Sequence, residues 1–335
     1  MSNPHPNNSG NKHQQPEFSI IICTYNQAES LKNTLASINA SKDVSTTDIE
    51  LLVIINNSSD NTEEICQHFS GISIFPFKYI IEKEQGLSYA RNRGIRESTG
   101  KILIFTDDDV VVPDNWLNSI ITTYNNEEPD CVFGKVIPEW QDNKPEWFSQ
   151  PMSTAYALLD YGNEQLDIKT NDREFFGANF SIKKSILVDI GGFNVELGRK
   201  GEKLFIGEET QIFMHLVRNR YRIIYNPDNY LFHVIHESRK TKEFIRRYFR
   251  DIADSNFYMS NKNAIRSLFG IPLYKYRDFF IFYTSFIPEY LWYSITRQHN
   301  RKFLLLLNLI KNNRLLYLYI QNMVSRDSQA AEEKA

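Results

Sequence analysis

Cysteine is scarce in this sequence. Cys23, Cys66 and Cys131 are the three in 335 residues, widely spaced and without a Cys-x-x-Cys pair. That pattern offers no disulfide framework and fits small buried apolar side chains in a reducing cytosol. An excess of charge of either sign is also missing. The formal net charge is −3, so global electrostatics point to no nucleic-acid partner and charge has to be read locally. The longest unbroken apolar runs fall far short of the ~18–20 residues that span a bilayer. The opening "MSNPHPNNSGNKHQQPE" has no basic segment leading into an apolar stretch. Residues 1–16 therefore read as a disordered polar tail rather than a signal peptide, with His5 and His13 outside any chemistry, and the chain reads as cytoplasmic. What is present is a hydrophobic share of 41%, enough for one large or two modest domains with real cores.

Strand and helix patterns alternate from Phe18 onward. "FSIIICTYN" is an apolar, β-branched run that reads as a buried strand, and "AESLKNTLASINA" follows with Leu31, Leu35 and Ile38 on one helical face. "IELLVIINNSSDNT" gives a second buried strand and an Asn/Ser turn, with Ser59 or Asp60 as candidate cap for the helix holding Ile65 and Phe69. "FKYIIE" is a third strand, "QGLSYARNRGIRES" a helix opened by Gly86, and "KILIFTD" a fourth strand. Pro113 falls at a plausible first helical position before "DNWLNSIITTYN". Continuous apolar strands of this kind belong to a mostly parallel, Rossmann-like sheet with helices on both faces, and such sheets bind ligands at the carboxyl ends of their strands. Thr24-Tyr25-Asn26, Asn56-Asn57-Ser58 and Asp107-Asp108-Asp109 each follow a strand, so they are expected on one rim.

The second half is less regular. "CVFGKVIPEW" reads as a strand, residues 138–175 as an irregular insertion, and "GANFSIKKSILVDIGGF" as a strand with a short helix. "GEETQIFMHLVRNRY" is helical, "RIIYNPDNYLFHVIHESRKT" reads as strand, turn, strand, and "KEFIRRYFRDIADSN" as a basic amphipathic helix. From Lys262 to Arg314 basic residues far outnumber Asp278 and Glu289, among many aromatics and leucines. This helical pair reads either as membrane-interfacial or as a lobe packed on the core. The expected division is 17–136 and 137–260 as two halves of one domain, 261–325 as the basic aromatic extension, and 326–335 as a second disordered tail.

"FTDDDVVVPDNW" carries the chemistry. An Asp-x-Asp at a strand's end suits a hard divalent cation, because Mg2+ and Mn2+ take carboxylate oxygens and share them with substrate phosphates. Alternation along an extended segment puts Asp107 and Asp109 on one side and Asp108 on the other. The first two are the candidate ligand pair, and Asp108 is left to brace nearby backbone or a basic group. The bland alternative is an acidic capping turn.

That motif is not alone. "SIIICTYNQAESLKNTLASI", "VIINNSSDNT", "EQGLSYARNRGI", "FTDDDVVVPDNWL", "FGANFSIKKSILVDIGGFN" and "GEETQIFMHL" stand in the order and spacing of the inverting family-2 glycosyltransferases of the GT-A fold. The chain resembles that family from about Phe18 to Asn256. The resemblance implies an α/β GT-A fold with a C-terminal helical extension, a nucleotide-diphosphate sugar as donor, and a glycan or lipid-linked acceptor. It implies Thr24, Tyr25, Asn26 and Asn56 near the base. Gly86, Arg91 and Asn92 would lie near the nucleotide or its diphosphate, and Asp107 and Asp108 in the nucleotide-sugar site. Asp107, Asp109 and His233 would hold Mn2+ or Mg2+, with His236 the fallback for the histidine. Glu209 would be the general base, with Glu208 its alternate. Asn179 would lie on the acceptor side. Trp140 and Trp147 read either as acceptor-stacking residues or as core or lid anchors. Arg199, Lys200 and Lys203 form a Gly-flanked loop expected to close over the diphosphate.

Two features depart from the family pattern. The second strand ends Ile55-Asn56-Asn57 where many relatives have an acid, and the base is Glu rather than the commoner Asp. Two other functions remain open on the residues alone: a catalytically inactive nucleotide-binding scaffold, and a phosphohydrolase with Asp107 as nucleophile. Membrane contact, if any, would be peripheral and at the cytoplasmic face.

Overall fold

A computed structural model describes residues 16–200, 204–263, 267–269 and 271–332. Lys203, Arg266 and residues 1–15 of the polar tail lie outside the described residues. The first half alternates as the apolar periodicities require: β1 (Phe18–Thr24), α1 (Ala28–Asn39), β2 (Ile49–Asn56), α2 (Thr62–Ser70), β3 (Phe77–Glu82), α3 (Leu87–Glu97) and β4 (Ile102–Thr106). β1, β2 and β4 are almost wholly buried along their lengths, which is what a strand covered on both faces demands. Asp60 ties the helix starts together. Its carboxylate accepts the Ala28 amide at 3.0 Å, opening α1, and the Thr62 amide at 3.2 Å, opening α2.

The second half adds β5 (Val110–Val111), α4 (Trp116–Glu127), β6 (Cys131–Trp140), a 3-10 turn over Gln150–Tyr156, β7 (Leu166–Ile168), β8 (Asn179–Lys183), α5 (Lys184–Asp189), α6 (Glu208–Arg218) and β9 (Ile223–Ile235). One mixed sheet results, in the order β3-β2-β1-β4-β8-β6-β9-β5, with β7 also on β9. β1 to β4 run parallel, whereas β8 is antiparallel to both β4 and β6. The expected boundary at 136/137 falls inside β6, so both halves share the sheet. β5 pairs with β9 so that Val110 lies opposite His233. This pairing brings the histidine beside the aspartate run.

Three expectations are corrected. Pro113 does not open α4. The helix begins at Trp116, and Pro113 instead offers its carbonyl to the Trp116 amide at 3.1 Å in the turn before it. "YNPDNY" does not end a strand. β9 runs through it, and the extra residues are taken up as a bulge where the register slips between Phe133 and Lys135. The Asn226 side chain accepts the Asp228 amide there at 2.9 Å, closing the bulge locally. The expected tail from 326 is also shortened, since the last helix continues to Glu332.

After α7 (Lys242–Asn263) come β10 (Ser267–Leu268), β11 (Ile271–Pro272), α8 (Leu273–Ile295) and α9 (His299–Glu332). Leu307 of α9 joins Phe244, Ile245, Tyr248, Tyr156 and Met152 in a second apolar cluster beneath the insertion. Tyr319 and Leu315 meet Ala253 and Phe279 in a third. α9 is thus packed on α7, whereas α8 buries one residue, Phe279. No helix among the described residues is long and apolar enough to cross a membrane.

The bulge depends on a glycine. A Cβ at Gly134 would lie 1.6 Å from the Asn229 carbonyl oxygen. Gly134→Ala is therefore expected to cost about 1–3 kcal/mol of stability, read as a lower urea midpoint. An unchanged midpoint would show that the bulge relaxes freely.

Candidate active site

The carboxyl ends of β1, β2 and β4, the start of α6 and the end of β9 enclose a cavity of about 890 Å³. Its walls include Thr24, Tyr25, Asn56, Gln85, Arg91, Asp107, Asp108, Asp109, Glu208, Glu209 and Arg239. Thr34 of α1 shapes the aspartate turn. Its hydroxyl lies 3.0 Å from the Asp108 carbonyl and 2.8 Å from that of Val110, and accepts the Val110 amide at 3.1 Å. Asp108 thus braces the turn through its backbone, and Asp107 and Asp109 come together with His233 within 4.8 Å.

The imidazole is oriented from behind. His233 Nδ1 lies 2.6 Å from the Tyr156 carbonyl, an atom that can only accept, so Nδ1 carries the proton. In the neutral ring Nε2 then presents a lone pair to Asp109 Oδ1, 3.1 Å away. With the ring neutral, two acceptors face one another there and a cation beside them answers both; with the ring charged, Nε2 donates to Asp109 instead. Two carboxylates and an oriented imidazole are a donor set that fits Mn2+ or Mg2+. His236 lies elsewhere on the cavity wall, with Nε2 3.2 Å from Ser30 Oγ.

Charge is uneven within the run. Burial pushes the Asp109 carboxyl up, but His233, Arg239 and Arg199 outweigh it and hold Asp109 below the usual range. Burial and the Asp109 charge raise Asp107, against Arg91. Burial, again with Asp109, raises Asp108 further.

A second cluster stands beside the first. The Arg91 guanidinium is buried on α3. Its Nη1 donates to Glu208 at 2.9 Å and Glu209 at 2.8 Å, and Nη2 lies 3.8 Å from Asp107. Gly207 turns the chain at φ 115° and places both acids in the first turn of α6, where the helix dipole favours negative charge. Burial and the Glu209 charge push Glu208 up to about 8. Glu209 is held below the usual range, because Arg91 and a hydrogen bond from Glu208 outweigh its burial. The pair therefore shares one proton, carried by Glu208, and the more exposed Glu209 is the ionised member. Gly177 makes room for this: a Cβ there would fall 1.9 Å from Arg91 Nη2 and 2.4 Å from Glu209 Oε1.

Several expected site residues make scaffold contacts. Asn56 lines the cavity, but its amide is committed to the β3–α3 loop, donating to the Glu84 carbonyl at 2.7 Å and accepting the Gly86 amide at 2.8 Å. Gly86 has φ 144° and caps α3, and the chain that approaches it is the protein's own: Leu87 donates to the Arg199 carbonyl at 2.9 Å. Asn26 staples β1 to the next turn by accepting the Ser59 amide at 2.7 Å. Asn92 grips Phe193 through both its amide atoms, at 2.7 and 2.8 Å. Asn179 is buried on Trp116 Nε1, at 3.0 Å, and the Lys135 carbonyl. Trp140 packs on Phe148 and Tyr156, and Trp147 on Phe303 of α9. Neither tryptophan lines the cavity. Residues that the sequence reading passed over do line it: Gln85, Glu174, Arg239, Arg247 and Tyr248. Arg239 follows His233 by six positions in the quoted "HVIHESR", a spacing that carries no periodic signal.

Residues 19–191, just over half of the chain, match the family model Glycosyl transferase family 2. The chain belongs to this family. It is a glycosyltransferase, as are its named relatives. A glucosyl-dolichyl phosphate glucuronosyltransferase of Haloferax volcanii is 26% identical over 67% of this chain and 71% of its own length. A GalNAc(5)-diNAcBac-PP-undecaprenol beta-1,3-glucosyltransferase of Campylobacter jejuni is 27% identical over 62% and 65%. Among solved structures, the mannosyltransferase PcManGT of Pyrobaculum calidifontis, in complex with GDP-Man and Mn2+, superposes with a TM-score of 0.55 at 19% identity, covering 76% of this chain and 66% of that one. Staphylococcus aureus TarS 1–349 with UDP-GlcNAc gives 0.53 at 18% identity, covering 75% and 68%. These likenesses establish the GT-A fold for this family-2 enzyme.

The shared proton has a stability signature. Glu208 binds it more tightly in the fold than at the ordinary Glu value of 4.5. Its contribution is therefore complete below that value and is lost as pH rises through about 8. Stability measured by urea unfolding is expected to fall between about pH 5 and 8, the span between the two values, with a smaller fall in Glu208→Gln. Equal slopes would remove the proton from Glu208.

Proposed function

We propose that this enzyme moves a sugar from a nucleoside diphosphate sugar to an acceptor hydroxyl with inversion at the anomeric carbon, aided by a divalent cation. The observation that carries this reading is the placement of Asp107 and Asp109, backed by the buried His233, and of the Arg91-held Glu209 on the walls of one cavity. When bound at the cluster, Mn2+ or Mg2+ supplies positive charge for the departing diphosphate. Tyr25 and Gln85 edge the base, and Arg199 faces the diphosphate from the Gly-flanked loop. Glu209 is the ionised group that takes the acceptor's proton, and the neutral Glu208 orients it by hydrogen bonding. Arg91 spans the base and Asp107, which keeps the two reacting ends in register. The GDP-Man and UDP-GlcNAc held by the two structural neighbours support the donor class.

The relatives named for dolichyl phosphate and PP-undecaprenol substrates support a lipid-linked acceptor for glycan or glycolipid synthesis. α8 supports a peripheral position at a membrane's cytoplasmic face, and the three free thiols accord with a reducing compartment. Leu273, Phe280, Ile281, Ile287, Leu291 and Ile295 recur at helical spacing on one exposed face of α8, with Phe280 70% and Ile295 78% exposed. Trp292, 61% exposed, stands beside them near Arg297 and Arg301. An apolar stripe with an interfacial tryptophan and basic flanks suits an anionic lipid surface.

Two measurements test this reading. In a panel of UDP- and GDP-sugars with Mn2+, Asp109→Ala and Glu209→Gln are each expected to lower kcat/KM by ~10²-fold or more, with donor binding kept in Glu209→Gln. Full activity in either variant would remove that residue's role. In flotation with anionic vesicles, Ile287→Asp/Leu291→Asp is expected to leave the lipid fraction that the parent protein enters. Equal flotation would remove α8 from the membrane contact.

A further inference from the structure

Two buried arginines line the cavity, and they are held very differently. Arg91 is clamped by two carboxylate oxygens at 2.8 and 2.9 Å. Arg239 sits in the 3-10 turn Glu237–Arg239 just beyond β9, and its bonds are longer. Nη1 lies 3.2 Å from Asp109 Oδ2 and 3.3 Å from His233 Nε2, and Nη2 lies 3.4 Å from the Ala155 carbonyl. Its Nε is buried without a hydrogen-bond partner, and the guanidinium lies over the Phe244 ring at 5.6 Å.

The two atoms that Arg239 Nη1 touches belong to the same two side chains that the candidate cation site needs. In the neutral ring, with Nδ1 committed to Tyr156, His233 Nε2 presents its lone pair there. A guanidinium N–H donor answers that lone pair and the Asp109 carboxylate together, which is the service a divalent cation would perform. We infer that Arg239 is a resident stand-in for the cation, holding Asp109 and His233 in place and competing with the ion for them. The inference rests on the cation reading above. A poorly satisfied, desolvated guanidinium is easier to displace than one clamped as Arg91 is.

Displacement has a consequence for the donor. A divalent ion entering against Arg239 leaves an unpaired guanidinium at a cavity wall that already carries Arg199 and Arg247. A nucleoside diphosphate brings the negative charge that answers it. Ion and nucleotide are thus expected to bind cooperatively, each weakly alone. Arg239 is a positioning residue that sets this coupling.

The test is direct binding of Mn2+, read from the free-ion electron paramagnetic resonance signal of the full chain, alone and with UDP or GDP. In the parent protein, nucleotide is expected to tighten Mn2+ binding at least tenfold. In Arg239→Met and Arg239→Gln, with circular dichroism confirming the fold, Mn2+ alone is expected to bind at least tenfold tighter than in the parent, and the gain from nucleotide is expected to shrink. A gain of affinity is not the result of a damaged scaffold. Unchanged or weaker Mn2+ binding in both folded variants overturns the inference. Asp109→Ala separates the two failures. If it abolishes Mn2+ binding while the Arg239 variants match the parent, the cation site stands and the stand-in role falls. If it binds Mn2+ as the parent does, the cation site itself falls.

Discussion

The buried guanidinium of Arg91 is the constraint around which the active site is arranged. A charge taken out of water is costly unless it is paired, and removing one partner of such a pair leaves the other exposed to that cost. Arg91 is answered by Glu208 and Glu209 from α6, by Asp107 from the end of β4, and by the Phe193 ring 5.2 Å away. Those partners come from both halves of the sheet. The first-half helix that follows β3 is thereby fixed against the second-half helix that precedes β9. Gly177 and Gly207 are the backbone conditions for it, one by leaving space and the other by turning the chain into α6.

The same electrostatics separate two adjacent glutamates that the sequence shows as equals. Glu208 is the deeper of the two, with its side chain 4% exposed against 16% for Glu209. One proton on the deeper acid relieves the repulsion between them and leaves the outer carboxylate ionised toward the cavity. A similar division holds among the three aspartates. Asp109 has His233 and Arg239 to favour its charge, whereas Asp107 and Asp108 feel Asp109 as a repulsive neighbour.

The irregular insertion serves the site from behind. Tyr156 closes the 3-10 turn and offers its carbonyl to His233, while its ring packs with Trp140, Phe148 and Phe244. Trp147 carries the contact on to Phe303 of α9. The C-terminal helices are therefore continuous, through aromatic packing, with the element that orients the histidine. This gives the C-terminal lobe a physical link to the site independent of any role for α8 at a lipid surface.

The sequence alone determined the first four strands and their helices, because a strand covered on both faces must be apolar throughout and the helices between must keep their 3.6-residue stripe. It also placed the aspartate run at a strand's carboxyl end, and the ordered motifs placed the chain in its family. Only the tertiary structure showed which backbone groups Asn26, Asn56, Asn92 and Asn179 bond within the protein. An amide at a strand's end serves a ligand or its own backbone equally well until the neighbouring carbonyls and amides are in position. It decided the same for Trp140 and Trp147, whose rings could pack on sugar or on protein. Arg239 was invisible for a related reason. Its meeting with Asp109 depends on β5 pairing with β9 and on the turn that follows, a contact across 130 residues that no local pattern encodes.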